Sequence, residues 1–330
     1  MEELSGTLRE IFSLLYFEEG EKTSTELGEA LRMRGVNVDT RTVRYHLTSL
    51  EKEGLLKKNG RKGALLTQKG VEVARRILLQ ERFGAPSLEV ERLLCEATID
   101  PTQGKGNAIV NMVLLPEKHL SQALELLSHL AGSSLIISPL LDILSSGTRL
   151  WHTEVPFGSR GLLCLSSRNY DVLFRRAGIF CESSATGLFQ IREGAPEGFV
   201  ELLSASGSTL SPGELLIRGR YTSVYEAATR GTGYVTTGIK IFPAFLYNQA
   251  RHVVDLLERI GISGVVSMGS TLPSEYAPVV SARNRGICLV HGGANYVAPL
   301  VEKGLTEELS IASGLYPLEN MAPPETFLRR

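Results

Sequence analysis

The 330-residue chain contains only four cysteines, Cys95, Cys164, Cys181 and Cys288, far apart and with no CxxC pair. That excludes a disulfide framework and a zinc ribbon, and it fits a reducing cytoplasm. No run of about 18 apolar residues occurs, so no membrane span is expected. The acidic first ten residues lack the apolar core of a signal peptide. Neither charge sign is in excess: 35 Lys and Arg face 36 Asp and Glu, a net charge of -1, which excludes a uniformly basic nucleic-acid coat. Walker A, GxGxxG and GxSxG motifs are all missing, and the six histidines show no zinc spacing. His152 and His291 read as structural histidines, and Cys164, without a base beside it, as a small buried strand residue. The expectation is a protein that is not an enzyme and holds no cofactor or metal. What is present is a 43% hydrophobic content, enough for a sizeable core, over a length that suits two or three domains.

The first eighty residues carry short helical stripes separated by clear stop signals. Leu8, Ile11, Phe12, Leu14 and Leu15 form one stripe. Thr23 or Ser24 caps a second helix with Leu27, Ala30 and Leu31 inward, and Gly35 ends it. Asp39 or Thr40 caps a third, where Val43, Leu47 and Leu50 recur at helical spacing up to Gly54. Two short runs around Asn59-Gly60 then read as a hairpin, and Thr67 to Arg82 as a fourth helix. Three helices followed by a hairpin is the order of a winged helix-turn-helix. Within residues 32–69, ten Lys and Arg stand against three acids, so this segment is basic on an acidic body. With Val43, Leu47 and Leu50 claimed by the core, Arg41, Thr42, Arg44, Tyr45 and Thr48 fall on the outer face of the third helix. There a recognition helix meets bases and phosphates. Lys57, Lys58, Arg61 and Lys62 on the hairpin are expected to reach the adjacent backbone. The domain reading is a winged helix over 1–82, a linker over 83–88, an effector domain over 89–321 and a tail over 322–330.

Beyond the linker the chain repeats itself with a period near 126 residues. Pro116, Gln122-Ala123, Leu126, Leu127 and Leu130 recur as Pro243, Gln249-Ala250, Val253, Val254 and Leu257. Arg160-Gly161, Asn169-Tyr170 and Gly178-Ile179 recur as Arg285-Gly286, Asn295-Tyr296 and Gly304-Leu305. A period this long means two copies of one half, about 98–195 and 225–320, rather than a solenoid. Each half reads as strand (Ala108–Leu114; Tyr234–Ile241), helix (Lys118–Leu130; Leu246–Ile260), two strands, then a loop entering a helix (Asn169–Ala177; Asn295–Lys303). That mixture gives a mixed α+β fold class.

The loops Cys164–Asn169 and Val290–Asn295 carry small residues ahead of a helix start, where free N–H groups favour an anion. Two related loops predict one cleft for a small anionic ligand, lined by Ser166, Ser167 and Asn169 from one half and Gly292, Gly293 and Asn295 from the other. Arg168, Lys240, Arg283 and Arg285 are the nearest cations. The plain alternative is a pair of tight turns capped by asparagine.

Thr42-Val43-Arg44-Tyr45-His46-Leu47, with the Leu50…Gly54-Leu55 spacing, resembles the winged helix of the NrpR nitrogen-regulation repressors. Ile99-Asp100, Gly104-Lys105-Gly106, Val110-Asn111, Cys164 with Asn169, Ala177-Gly178-Ile179, Gly292–Asn295 and Glu302–Leu305 are similar to the NrpR effector domain. The likeness implies a homodimeric repressor, joined through its effector domain, that binds palindromic double-stranded operators and is released by 2-oxoglutarate. The sequence departs from the family pattern at Leu165, Gly238, Lys240 and Tyr296. The expected effector set is Cys164, Ser166, Ser167, Asn169, Lys240, Gly292, Gly293 and Asn295. The competing readings are a metabolic enzyme or a protein-binding co-regulator with an appended winged helix.

Overall fold

The computed structural model describes residues 6–18, 20–79, 88–205, 208–269, 276 and 284–328, with only the backbone of Arg61. Residues 83–87 of the linker expected over 83–88, residues 80–82 of the expected fourth helix and Arg283 lie outside them, while Leu88 already opens a helix. The described residues divide into two compact units.

The first unit begins with α1 (Gly6–Phe17), α2 (Ser24–Met33) and α3 (Thr40–Lys52). Thr23 caps α2 in a reciprocal box, its hydroxyl accepting from Glu26 N at 3.2 Å while the Glu26 carboxylate takes the Thr23 N–H at 2.7 Å. Asp39 caps α3 by accepting from Thr42 N at 2.6 Å. Leu27, Leu31, Val43, Leu47 and Leu50 all lie in one buried core with α1. The wing is β1 (Leu56–Lys58) paired antiparallel with β2 (Ala64–Leu66). The turn between them is not the two-residue Asn-Gly type. Residues 59–63 form a longer loop with a 3-10 turn at Gly60–Lys62, because Lys58 pairs with Ala64. Then α4 (Gln68–Ile77) crosses the core. Gly70 lets it do so: a Cβ there would sit 1.8 Å from the Leu55 carbonyl oxygen. The small hairpin Arg149–Glu154 is also counted with this unit.

The helix α5 (Leu88–Glu96) belongs to the second unit from Val90 onward, and the two repeats follow it. The first is β3 (Asn107–Pro116), α6 (Leu120–Ser128), β4 (Leu141–Leu144), β7 (Ser159–Leu165), α7 (Arg168–Arg176) and β8 (Glu182–Arg192), with the hairpin of the first unit, β5 (Arg149–Leu150) and β6 (Thr153–Glu154), lying in sequence between β4 and β7. A bridge of β9 (Ala195–Ser204), α8 (Pro212–Arg218) and α9 (Val224–Arg230) follows. The second repeat is β10 (Gly233–Pro243), α10 (Tyr247–Arg259), β11 (Val265–Gly269), β12 (Arg285–His291), α11 (Ala298–Glu302) and β13 (Glu308–Pro317). The helix expected over Asn295–Lys303 is in fact a 3-10 turn, Gly293–Tyr296, followed by the five-residue α11. Likewise a 3-10 turn at Glu117–His119 precedes α6.

Two antiparallel sheets result, in the orders β13-β3-β7-β4 and β11-β12-β10-β8-β9. The last strand of each repeat sits in the sheet of the other. Gly314 of β13 pairs with Val110 of β3, and Gly187 of β8 pairs with Thr237 of β10. Gly187 and Gly314 are 127 residues apart, as are Val110 and Thr237, so the exchange is reciprocal and in equivalent register. One buried cluster, including Leu127, Leu162, Phe189, Val235, Tyr296 and Leu300, draws on both repeats.

The exchange makes the repeats inseparable. A fragment 98–195 lacks β13 and leaves β8 without β10, exposing edges and half a core. It is expected to show no cooperative melt by circular dichroism, whereas a cooperative transition from the fragment alone would mean that each repeat is a self-sufficient unit.

Candidate functional site

In the first unit, α3 turns Arg41, Arg44, Tyr45 and Thr48 to solvent, with Tyr45 72% exposed, while Thr42 is half-buried beside the cap. Arg44 Nε donates to Ser24 Oγ at 3.2 Å, tying the outer face of α3 to the start of α2. Lys58 Nζ donates to Thr48 Oγ1 at 2.9 Å and pairs with Glu51 at 3.0 Å. The wing is thereby fixed to α3, and Lys58 serves that joint. Lys57 and Lys62 are exposed, and the Arg61 side chain lies outside the described residues. Arg41, Arg44, Tyr45, Lys57 and Lys62 thus share the solvent side of a helix and wing.

In the second unit, each loop is bound to the first strand of its own repeat by a buried asparagine. Asn169 Nδ2 donates to the Ile109 and Ser166 carbonyls, both at 2.8 Å, and its Oδ1 accepts from Ile109 N at 2.9 Å. Asn295 Oδ1 accepts from Thr236 N at 3.0 Å and Thr236 Oγ1 at 2.6 Å. Its Nδ2 donates to the Thr236 and Leu135 carbonyls. Ile109 and Thr236 are 127 residues apart, so the two ties are counterparts. These asparagines are not the helix caps that small polar residues at a helix start suggest; Ser167 and Gly292 hold the cap positions.

A cleft of about 560 Å³, open solvent at its mouth included, lies between the loops and the β8–β10 pair. Ser166, Ser167, Lys240, Gly292 and Gly293 of the expected set line it, as do Arg168, Ser183, Thr186, Ser211 and Gly238. Cys164, Asn169 and Asn295 stand behind the wall. Cys164 Sγ accepts from Asn111 Nδ2 at 3.6 Å and donates to the Gly293 carbonyl at 3.7 Å. Burial pushes its thiol up to about 12, so it is no nucleophile at neutral pH. Gly293 is a packing glycine: a Cβ would lie 2.3 Å from Leu165 O and 2.8 Å from Ser167 N. At Gly292 it would meet Thr236 Oγ1 at 2.1 Å. Gly238 differs, since its nearest neighbour would be Val290 O at 3.7 Å, ordinary contact.

The charge of the wall centres on Asp171, which sequence reasoning missed. Lys240 Nζ lies 2.5 Å from Asp171 Oδ1, and Arg168 Nη1 lies 3.2 Å from Oδ2. Burial alone would raise the Asp171 carboxyl, but Lys240 and Arg168 hold it below the usual carboxylate range. Two cations and one carboxylate leave a net charge of +1 against a wall rich in hydroxyls. Arg285, the other named cation, opens β12 and is not among the lining residues. Among the described residues, no group of three His, Cys, Asp or Glu is placed to hold a metal ion, and no helix is long and apolar enough to cross a membrane.

A sequence model of NrpR regulatory domains NRD1 and 2 matches residues 85–323, which is most of the chain. The chain belongs to the NrpR family. A ribonuclease R winged-helix model matches residues 10–73 of this NrpR-family protein. It is 27% identical over 317 residues to the global nitrogen regulator NrpRI of Methanosarcina mazei, covering 95% of this chain and 96% of that one. To the global nitrogen regulator NrpR of Methanocaldococcus jannaschii it is 23% identical over 321 residues, covering 97% of this chain but only 55% of the relative. The fold of a nitrogen repressor-like protein from Methanococcus jannaschii superposes with a TM-score of 0.57 at 16% identity, over 72% of this chain and 96% of that one. With a winged helix at one end, this NrpR-family chain is a nitrogen-regulating transcriptional regulator.

His291 gives the cleft unit a pH signature. It is buried at the end of β12, its Nδ1 is 2.9 Å from Thr237 Oγ1, and burial holds its pKa down at about 4. The unfolded chain takes a proton there below about 6.5 while the folded protein refuses it until about 4. Stability is therefore full above about pH 6.5 and falls as the pH drops toward 4, by about 3 kcal/mol in all. Denaturant melts of wild type and His291→Gln should diverge in slope across that window; parallel curves would mean that His291 titrates normally.

Proposed function

We propose that this protein is a ligand-responsive repressor that binds double-stranded operator DNA through α3 and the wing and is released by a small anionic metabolite bound in the cleft. One observation carries the reading: a cleft with net positive charge, lined by hydroxyls and by two backbone loops, sits in the same chain as a winged helix whose outer face exposes Arg41, Arg44, Tyr45, Lys57 and Lys62. The family resemblance makes 2-oxoglutarate the first candidate effector. It also supports a homodimer through the second unit on a palindromic operator, with half-sites about one helical turn apart. No catalytic step is part of this reading. The thiol of Cys164 and the imidazole of His291 are both buried in their neutral forms, so neither favours the enzyme alternative.

On DNA, Arg41 and Arg44 divide the work between base edge and phosphate. Arg44→Ala is expected to weaken operator binding by about 1–3 kcal/mol if the guanidinium reads a base, and to weaken all sequences evenly if it holds phosphate. Mobility-shift titrations at fixed salt decide this, and unchanged affinity in both Arg41→Ala and Arg44→Ala would remove α3 from the interface.

In the cleft, Gly293→Val is no test, because the side chain would strike the Leu165–Ser167 backbone and unsettle both loops. Gly238→Leu is the clean block, since β10 accepts a Cβ there and the rest of the side chain fills the cleft. The variant should keep its melting temperature and operator affinity while losing the response to 2-oxoglutarate. A full response from a folded Gly238→Leu protein would place the effector elsewhere.

A further inference from the structure

Arg168 and Lys240 both touch Asp171, yet they are not equivalent. The Lys240 side chain is 5% exposed, and its Nζ donates to Ser183 Oγ at 3.1 Å as well as meeting Asp171. Ser183 Oγ also donates to the Asp171 carboxylate at 3.2 Å. The carboxylate is therefore provided for without Arg168, whose side chain is 22% exposed and lines the cleft.

The duplication supplies its own comparison. The repeat offsets place Arg168 opposite Ala294, Asp171 opposite Val297 and Lys240 opposite Val113, and all three counterparts are buried apolar residues. The same fold position thus packs in the other repeat without any charge. Replacing a buried ion cluster with apolar side chains is commonly neutral or stabilising. The fold position itself therefore does not call for the cluster, which leaves its charge open to another use.

We infer that Arg168 is the residue that reads the charge of the ligand, turning from Asp171 onto a carboxylate that enters the cleft while Asp171 stays with Lys240 and Ser183. This rests on the effector reading of the cleft given above. The planar guanidinium suits bidentate capture of a carboxylate, which Lys240, held in place, cannot offer. The remaining oxygens of such a ligand meet the hydroxyls of Ser167, Thr186 and Ser211. The ligand class is a small carboxylate with further hydrogen-bonding oxygens, and one molecule binds per chain, because the equivalent position in the other repeat is apolar.

The test is calorimetric titration of the full-length protein with 2-oxoglutarate, glutarate, citrate and pyruvate. For the tightest of these, Arg168→Gln should raise the dissociation constant about 10- to 100-fold, the range expected for a lost charge-assisted bond. Arg168→Lys should fall between that variant and wild type, keeping the charge but losing the fork. The unliganded melting temperature of both variants should stay near wild type, which separates a ligand contact from a structural one. Wild-type affinity in both variants, with wild type itself binding, overturns the role of Arg168 and leaves the cleft reading standing. Two molecules bound per chain overturns the asymmetry argument. If wild type binds none of the four, the effector reading falls and this inference falls with it.

Discussion

Two buried asparagine amides hold the cleft in shape. Asn169 and Asn295 each spend donor and acceptor on the backbone of the strand beside them, so each loop is locked to its sheet. A buried amide left unpaired costs about 1–3 kcal/mol, and these satisfy their groups only in the observed loop conformation. The loops then meet each other at Gly293, where backbone stands against backbone with no room for a side chain. A wall built from fixed backbone needs no ordering when a ligand arrives, and the entropy cost of binding falls accordingly.

The strand exchange explains how one wall of this arrangement could change while the other stayed apolar. Because β8 and β13 each complete the opposite sheet, neither repeat has to be stable by itself. Only the joint core must be preserved, and it draws on both. The charged trio of Arg168, Asp171 and Lys240 against the apolar trio of Ala294, Val297 and Val113 is that freedom made visible. Two copies of one fold supply the scaffold, and one of them supplies the chemistry.

The winged helix was legible because its signals are local. Thr23 and Asp39 cap at the expected positions, and Val43, Leu47 and Leu50 point inward because nothing else at that spacing can. The duplication was legible as well, since Asn169 and Asn295 or Gly178 and Gly304 keep a constant offset. The exchange was not, because nothing in the sequence of a strand such as β8 names the strand that it pairs with. Asn169 and Asn295 were expected to line the cleft, with a turn cap as the plain alternative, and only the tertiary approach of Ile109 and Thr236 turned them inward. Lys240 was one of four cations expected near the cleft, and Asp171, 69 residues away in sequence, gives no local sign that it claims it.

An exchange of partners at Arg168 also sets a scale for the affinity. Arg168 gives up a single 3.2 Å contact with Asp171, which Lys240 and Ser183 still serve, for a two-pronged bond to the ligand, so part of the gain is that bond and the rest comes from the ligand's contacts with hydroxyls and backbone N–H groups. Each such neutral hydrogen bond nets about 0.5–1.5 kcal/mol, and a few of them reach the 4–6 kcal/mol that corresponds to millimolar or somewhat tighter binding. That range suits the sensing of an abundant metabolite, because a site far tighter than the prevailing concentration would stay filled. A ligand moves DNA affinity only by its differential affinity for two states of the protein, and couplings of about 1–3 kcal/mol change binding 5- to 150-fold. A contact that exists only after Arg168 has turned is differential by construction: a state of the protein that fixes Arg168 on Asp171 refuses the ligand, and one that frees it accepts the ligand.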